Sequence, residues 1–386
     1  MHEKPTGNAV RELVDGAAAR VAGSDEGISV HELQLAARNH GLPLEALRYD
    51  LTPTGLHYLL THYDIPAVDP AQWRLSVDGH VSRPQVLDLD HLQGLPRTTV
   101  TVTMECAGNG RARLHPRPVS QPWLNEAVGT AAWTGVPLAA VLEQAGVRAG
   151  AVDVQFTGTD HGIERGVEQD YARSLRVSDA AYQDAILAYE MNGQPLPVQH
   201  GFPLRLVVPG WYGMAHVKWL RRITVLDHEF TGFQQAVAYR LQRDADDPGE
   251  PVDRIRPRAL MIPPGVPDFM TRTRFVDAGL HRLHGRAWTG SPPVTRVEVS
   301  VDGGTIWSDA DLEPEIGRWA WRGWSFDWHA DRVGDHELRV RAHDATGAVQ
   351  PPEQPWNRQG MANNMTQRVP VVVRPPARDE SDRAGQ

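Results

Sequence analysis

The last third of the chain alternates apolar and polar residues over several short segments, and this pattern restricts it to β-structure. Valine occupies every second position in 297–301 and 369–373, and apolar residues alternate with charged ones over 337–342. A period of two residues places one face of a strand in a core and the other toward solvent. Turn sequences such as Asp-Gly-Gly separate the segments. The sequence therefore predicts an all-β, immunoglobulin-like sandwich over residues 269–375.

The preceding part of the chain mixes two periodicities and is predicted to be α+β. Residues 73–92 predict a strand, a turn, a second strand and a short helix. Residues 98–104 predict a half-buried strand, and 136–146 have the spacing of a helix that ends at a glycine. Two further strands are predicted within 202–210 and 216–226.

Composition divides the chain into five segments. Residues 243–268 are dense in Asp, Pro and Arg, so we expect the domain boundary there. The polar, Ala-rich residues 1–50 predict an N-terminal extension, and 376–386 predict a disordered tail. The α+β domain would then cover 51–242 and carry the chemistry.

Charge and cysteine content exclude several classes of protein. The formal net charge of -9 argues against nucleic acid as a partner, so an anion site must be a local basic pocket. The single cysteine excludes internal disulfides, Cys-rich zinc sites and iron–sulfur clusters. No apolar run reaches membrane-spanning length, and the N-terminal sequence lacks the apolar core of a signal peptide. We therefore expect a cytoplasmic protein without a membrane partner, or a periplasmic one if an export signal has been removed.

The single cysteine, Cys106, follows the strand predicted at 98–104 and begins the sequence Cys-Ala-Gly-Asn-Gly-Arg. A lone cysteine is more often a small buried hydrophobic residue. Here, however, small residues allow another group to approach the backbone closely. Four basic residues also fall within 111–117, and positive charge favours the thiolate. The pattern therefore predicts that Cys106 is a nucleophile or a soft metal ligand.

Standard motifs do not narrow this choice. The third glycine of a dinucleotide fingerprint is missing, and neither a phosphate-binding loop nor His-Glu-x-x-His occurs. A second polar block interrupts apolar segments with His200, Arg205, His216 and Lys218, which together could hold a polyanionic cofactor. A structural role for each of them stays open, and so does a Cys–His hydrolase, since the chain has 17 histidines.

Several blocks taken together resemble the sulfite oxidase family of molybdopterin enzymes. MECAGNGR (104–111) resembles the family's Cys-Ala-Gly-Asn signature, and 188–223 resembles its long central block. The blocks that resemble its C-terminal dimerisation domain are GRAWTG, VEVSVDGGTIW, WAWRGWSF and QPPEQPWNRQGMANN. The resemblance covers roughly residues 51–375. It implies a molybdopterin-binding domain at 51–242, a molybdenum–molybdopterin cofactor and a homodimer.

The resemblance also implies roles for individual residues at the matched positions. Cys106 would be the thiolate ligand of molybdenum, and the substrate pocket would contain Arg111, Trp123, Tyr239 and Arg368. The residues implied to bind the cofactor are Thr61, His62, Tyr63, Asp160, His200, Arg205, His216, Val217 and Lys218. The implied reaction is oxo transfer to sulfite, which yields sulfate. No haem domain is expected in this chain, so electrons would pass to an external acceptor: cytochrome c, a quinone-linked partner or oxygen.

Two departures from the family pattern leave the substrate open. Leu60 stands where sulfite-oxidising members have an arginine, and Ser120 stands near the position of an expected lysine. Each removes a cation from the implied anion pocket. Reduction or oxidation of another oxo substrate, such as nitrate or an S-oxide, therefore remains an alternative, as does a non-catalytic cofactor-binding dimer.

Overall fold

The computed structural model describes residues 20–376, except for the side chains of residues 180 and 181, and divides them into two compact units. Unit 1 comprises 20–42, Leu51–Ile255 and Gln354–Asn363, and unit 2 comprises Pro43–Asp50, Arg256–Glu353 and 364–376. The division thus falls inside the segment predicted as a linker. The structure differs from the predicted segments because 43–50 joins unit 2 and 354–363 returns to unit 1. Nearly all of the predicted tail lies outside the described residues.

The helices described in unit 1 are short. They are α1 (Val30–Arg38), α2 (Leu89–Gln93), α3 (Leu138–Ala145) and α4 (Ala180–Asp184). Its strands are β1 (Leu75–Gly79), β2 (Gln85–Leu87), β3 (Thr98–Glu105), β4 (Val128–Pro137), β5 (Asp153–Glu164), β6 (Val167–Arg176), β7 (Ile186–Met191), β8 (Gln194–Pro195), β9 (Arg205–Val207), β10 (Leu220–Leu226), β11 (Arg240–Leu241) and β12 (Glu250–Pro251). Single turns of 3-10 helix lie at Thr54–Leu56, Arg111–Arg113, Val198–His200 and Gly213–Ala215, and a π-helical turn lies at Gln234–Ala238.

Two larger sheets form the body of unit 1. The first has the strand order β2-β1-β10-β5-β6, in which only the β1–β10 pair is parallel. The second has the order β3-β4-β7-β8, and β9 also pairs with β7. Apolar residues from both sheets and from α3 form one buried cluster, which includes Leu75, Val141, Phe156 and Leu187. Strand β3 pairs with β4 up to Glu105, which lies opposite Val128, and this pairing fixes the end of β3 and hence the position of Cys106.

Local sequence explains where several of these elements begin and end. Ser29 caps α1, and its side chain exchanges hydrogen bonds with Glu32 in a capping box. The helix predicted at 136–146 is confirmed as α3, which ends at Gly146 with φ of 68°. The strand, turn, strand and helix predicted at 73–92 are also confirmed. The strand predicted from residue 216 begins only at Leu220, because Trp219 adopts a left-handed backbone with φ of 48°.

Unit 2 is built almost entirely from strands. They are β13 (Arg258–Met261), β14 (Val266–Pro267), β15 (Arg274–Asp277), β16 (Gly279–Trp288), β17 (Val294–Ser300), β18 (Ser308–Asp309), β19 (Asp311–Leu312), β20 (Arg322–Ala330), β21 (Gly334–Asp344) and β22 (Gln367–Arg374). A 3-10 helix at Leu44–Arg48 accompanies them. Their sheets have the orders β13-β16-β20-β19 and β14-β15-β22-β21-β17-β18.

The period-two pattern of the sequence is confirmed in unit 2. Leu338, Val340 and Ala342 are fully buried, and apolar residues of both sheets share one core. That core is the reason for the alternation, since each strand turns one face inward. Among residues 20–376, no helix has the length and apolarity needed to cross a membrane.

Candidate active site

Two adjoining cavities in unit 1 meet at the single cysteine. The inner cavity has a volume of about 60 Å³ and the outer cavity one of about 230 Å³. Both are lined by Leu60, His62, Cys106 and Tyr239. Cys106 therefore has a face toward each cavity, although the residue is 7% exposed.

Strand β3 and the turn that follows it determine the position of Cys106. Its amide donates a hydrogen bond to the Ala127 carbonyl at 2.9 Å, and its own carbonyl accepts from the amide of Asn109 at 2.9 Å. Burial raises the pKa of the thiol, while the charge of Arg111, the amide of Gly108 and the indole of Trp123 act in the opposite direction. A metal ion bound to the sulfur would supply the positive charge that stabilises a buried thiolate.

The inner cavity brings together six of the residues implied to bind the cofactor: His62, Asp160, His200, Arg205, His216 and Lys218. Arg205 lines this cavity and donates to the carbonyl of His200 at 3.0 Å and to that of His216 at 3.3 Å. Its guanidinium also lies 4.7 Å from the centre of the Trp133 ring. Burial lowers the pKa of Arg205 to about 10, so the group remains a cation at neutral pH.

The inner cavity also contains a buried base, Lys218, and a buried acid, Asp160. Lys218 Nζ donates to the carbonyls of Leu60 at 2.9 Å and Gln199 at 3.2 Å. Burial lowers the pKa of the ammonium and raises that of the Asp160 carboxyl, because both lose water. The chain contains only one other lysine, Lys4, so an ammonium at position 218 stands out in an arginine-rich sequence.

Buried polar atoms without hydrogen-bond partners show that this region suits a polar ligand. They include Thr61 Oγ1, Asp160 Oδ1 and Arg205 Nε. A buried polar atom costs free energy unless a partner satisfies it. The donor-rich, cationic lining would pair with the heterocycle and the phosphate of a pterin cofactor, so the residues present fit such a group.

The outer cavity contains the implied substrate residues Arg111, Trp123 and Tyr239, together with Thr61 and Tyr63. Arg111 Nε donates to the carbonyl of Gln359 at 2.7 Å, and Nη1 donates to that of Gln121 at 3.4 Å. Among residues 20–376, four arginines line this cavity, against one carboxylate. The arginines are Arg20, Arg111, Arg165 and Arg358, and the carboxylate belongs to Glu164. This is a local basic pocket in an acidic chain.

A histidine and a tyrosine form a hydrogen-bonded pair where the two cavities meet. Tyr239 Oη lies 2.7 Å from His62 Nε2. Burial raises the pKa of the phenol and lowers that of the imidazole, so both groups are neutral. The two groups share one hydrogen bond, and the tautomer of the imidazole sets which of them donates. The pair presents a polarised hydroxyl beside Cys106.

Two of the implied site residues do not line either cavity. The side chain of Val217 packs in the apolar core, its carbonyl accepts from the Leu206 amide at 2.8 Å, and its amide donates to the Ala215 carbonyl at 3.1 Å. Arg368 belongs to β22 in unit 2, where it is exposed and pairs with Glu353. The alternation of β22 buries its neighbours Gln367 and Val369 and turns Arg368 to the opposite face.

Several residues of the site carried no recognised signal in the sequence. His57, Tyr58 and Tyr171 line the inner cavity, and Arg165, Arg358 and Gln359 line the outer one. For Arg165, the Arg-Gly sequence between two strand-like segments could have predicted a turn. Arg358 and Gln359 lie within the block 350–364, which resembles part of the dimerisation domain. Of the basic residues at 113–117, Arg117 pairs with the buried Glu32 instead of reaching the site.

Comparison with known proteins agrees with this geometry. Residues 62–234 match the model of the oxidoreductase molybdopterin binding domain, and residues 268–374 match that of the Mo-co oxidoreductase dimerisation domain. The fold and the site thus define a molybdopterin-binding oxidoreductase domain followed by a dimerisation domain. The chain belongs to the sulfite oxidase family of molybdenum enzymes.

Relatives within this family have different activities. The chain is 36% identical over 346 residues to mitochondrial sulfite oxidase of Rattus norvegicus, which covers 84% of this chain and 62% of the relative. It is 32% identical over 372 residues to a nitrate reductase (NADH), clone PBNBR1405, of Brassica napus, which covers 89% of this chain and 41% of the relative. The chain therefore spans less than two thirds of either relative. The crystal structure of the sulfane dehydrogenase SoxCD from Paracoccus pantotrophus has the same fold, with a TM-score of 0.75 and 24% identity over 97% of this chain and 100% of that chain.

Proposed function

We propose that the protein oxidises sulfite to sulfate and passes the electrons to an external acceptor such as cytochrome c, a quinone-linked partner or oxygen. The observation that carries this proposal is the position of Cys106 between a polar inner cavity and a cationic outer one. A molybdenum cofactor, when bound, supplies a two-electron oxo-transfer centre that no side chain can provide. The chain's own residues would hold that group, attract the anion and exclude competing ligands.

The inner cavity would hold the cofactor. Cys106 would ligate the metal as a thiolate, and Arg205 and Lys218 would pair with the phosphate. Asp160, whose Oδ1 is buried without a partner, would bond to the heterocycle from the inner cavity, and Thr61, whose Oγ1 is likewise unpartnered, would bond to it from the side of the outer cavity. Val217 would have a structural role only, since its side chain packs in the apolar core. Tyr63, which is buried beside the outer cavity, would support the same wall.

The outer cavity would hold the substrate. Sulfite is a small anion, and a charge-assisted hydrogen bond from Arg111 contributes about 1.5–3 kcal/mol to its binding. The Trp123 indole forms one wall of the cavity. The hydroxyl of Tyr239 would donate its proton to an oxygen of the anion, and His62 Nε2, 2.7 Å away, would donate to the phenol oxygen.

A second candidate function is oxo transfer to or from another substrate, such as nitrate or an S-oxide. The observation that favours it is the apolar Leu60 beside Cys106, since this side chain lines both cavities. Ser120 likewise lines the outer cavity without a charge. The 32% identity to a nitrate reductase is consistent with this candidate.

We further propose that unit 2 is an immunoglobulin-like sandwich and that it joins two chains in a homodimer. Its two sheets share one apolar core, as such sandwiches do. The match of residues 268–374 to a dimerisation domain supports the proposal. The molar mass from sedimentation equilibrium tests it, and a monomer at micromolar concentration would contradict it.

Metal content and reaction with sulfite test the proposed function together. The purified protein should carry about one molybdenum per chain, and sulfite should bleach its thiolate-to-metal absorption band. Cys106→Ser should lose the band and the activity. Arg222→Gln, an exposed arginine outside both cavities that pairs with Asp78, is the control and should keep both.

The possible results separate the candidates. One result is that molybdenum-loaded protein is unreactive toward sulfite and yet reduces nitrate or an S-oxide with electrons from a reduced viologen. That result would exclude sulfite as the substrate and support the second candidate. Full turnover by Cys106→Ser would show that Cys106 is not the metal ligand and would remove the observation that carries both enzymatic functions. Molybdenum-loaded wild type that reacts with neither sulfite nor an oxo substrate would leave a cofactor-binding dimer.

A further inference from the structure

The outer cavity has an arginine that comes from the tip of a β-hairpin. Strand β5 ends at Glu164 and β6 begins at Val167, so Arg165 and Gly166 form a two-residue turn. Both have positive φ, 49° and 77°, as tight hairpin turns prefer. This backbone costs an arginine free energy that a glycine or an asparagine would largely avoid. A role for the side chain explains why an arginine occupies this strained position.

A single residue of the returning segment contacts both Arg165 and Arg111. Arg165 Nη2 donates to the side-chain oxygen of Gln359 at 2.9 Å, and Arg111 Nε donates to its backbone oxygen at 2.7 Å. Gln359 is 7% exposed, and its Nε2 donates to Gln242 Oε1 at 3.3 Å. The amide is thereby oriented with its oxygen toward Arg165. Two guanidinium groups are held at one wall of the cavity.

The charges at this wall repel one another. The pKa of Arg111 is lowered chiefly by burial, and the charge of Arg165 lowers it further. The pKa of Arg165 is likewise lowered by burial, and Arg358 adds to this while Glu164 opposes it. Like charges that have lost water are stabilised when an anion enters between them.

We propose that Arg165 is the second anion-binding residue of the outer cavity and determines its specificity for oxyanions. It takes the role that the sequence resemblance implied for Arg368, which is exposed and lines neither cavity. The inference rests on the proposed function only for the identity of the anion.

Binding of inorganic sulfate, the product dianion, tests the inference without turnover. Isothermal titration calorimetry of the molybdenum-loaded protein with sulfate should give a Kd that is about ten- to a hundredfold higher for Arg165→Gln than for the wild type. Arg165→Lys should recover part of the affinity, since it restores the charge without the forked donor. Arg176→Gln is the matched control, because this exposed arginine of the same hairpin pairs with Glu229 outside both cavities. Its Kd should stay within about twofold of the wild type.

Steady-state kinetics supply a second measurement. Arg165→Gln should raise the KM for sulfite by roughly the same factor as the Kd for sulfate, with kcat changed much less, because the residue binds the anion in the ground state as well as in the transition state. If Arg165→Gln fails to fold, Gln359→Ala replaces it. That variant removes the oxygen that accepts from Arg165 and keeps the carbonyl that accepts from Arg111. We expect it to weaken sulfate binding about three- to tenfold.

Sulfate affinity that is unchanged within about twofold in Arg165→Gln, or in Gln359→Ala as its substitute, would overturn the inference. Sulfate binding that depends on Arg165 in a protein unreactive toward sulfite would keep the inference and reject the proposed substrate. Sulfite oxidation with the same KM in Arg165→Gln as in the wild type would reject the inference and keep the proposed substrate.

Discussion

Lowering the pH from about 7.5 to about 5.5 should remove the stability that three buried, neutral histidines of unit 1 give the cofactor-free protein. Burial lowers the pKa of His57 to about 4, that of His200 to about 2 and that of His216 to about 3. An unfolded histidine has a pKa near 6.5. Between these values only the unfolded chain takes up the protons. The stability is therefore fully present above about pH 6.5 and is lost as the pH falls below it.

The hydrogen bonds of His216 explain why it resists protonation. Its Nδ1 accepts from the amide of Val208 at 3.1 Å, and its Nε2 lies 3.1 Å from the carbonyl of Trp211, to which it donates. A proton on Nδ1 would place two N–H groups against each other. Because the ring is 3% exposed, water cannot relieve that clash.

The magnitude follows from the proton count. Each histidine contributes about 1.4 kcal/mol over this interval, so the three together contribute about 4 kcal/mol. The coupled pair of Asp160 and Lys218, with pKa values of about 7, also takes up protons in the folded chain over this interval and opposes part of the loss. The contribution of a histidine is therefore read from the difference between its variant and the wild type, in which the pair is common to both.

Urea denaturation of the cofactor-free protein at the two pH values measures the effect. In His216→Gln the loss of stability between the two pH values should be smaller than in the wild type by about 1.4 kcal/mol, since one of the three histidine protons is removed. His228→Gln is the matched control, because this histidine is exposed, and it should keep the full dependence. A difference between His216→Gln and the wild type smaller than about 0.5 kcal/mol would refute the argument from burial.

Two further substitutions test the cavities separately. Lys218→Met should lower the molybdenum content of the purified protein by roughly fivefold or more, because it removes a buried ammonium from the inner cavity; elemental analysis checks this, and wild-type content would exclude Lys218 from cofactor binding. Tyr239→Phe should lower kcat/KM by about tenfold at unchanged metal content, because it removes the hydroxyl that bonds to His62; steady-state kinetics check this, and an unchanged kcat/KM would show that the hydroxyl takes no part.

Short-range patterns in the sequence were sufficient to predict the elements around the site. The alternation before Cys106 predicted β3, and the helix ending at Gly146 was predicted from its spacing and its glycine. Both features are local, so few competing contacts can override them. Trp219 is the counterexample, because its left-handed backbone interrupts an otherwise strand-like segment.

The sequence by itself determined the β-rich character of the chain, the position of Cys106 at a strand end and, through resemblance, the family. Only the tertiary structure decided which cations face the outer cavity. Arg165 and Gln359 are 194 residues apart and meet because residues 354–363 return to unit 1. Arg368, five residues beyond that segment, lies on an exposed strand face. The reason is physical: periodicity encodes which face of one element is buried, whereas the meeting of distant segments depends on how all the elements pack.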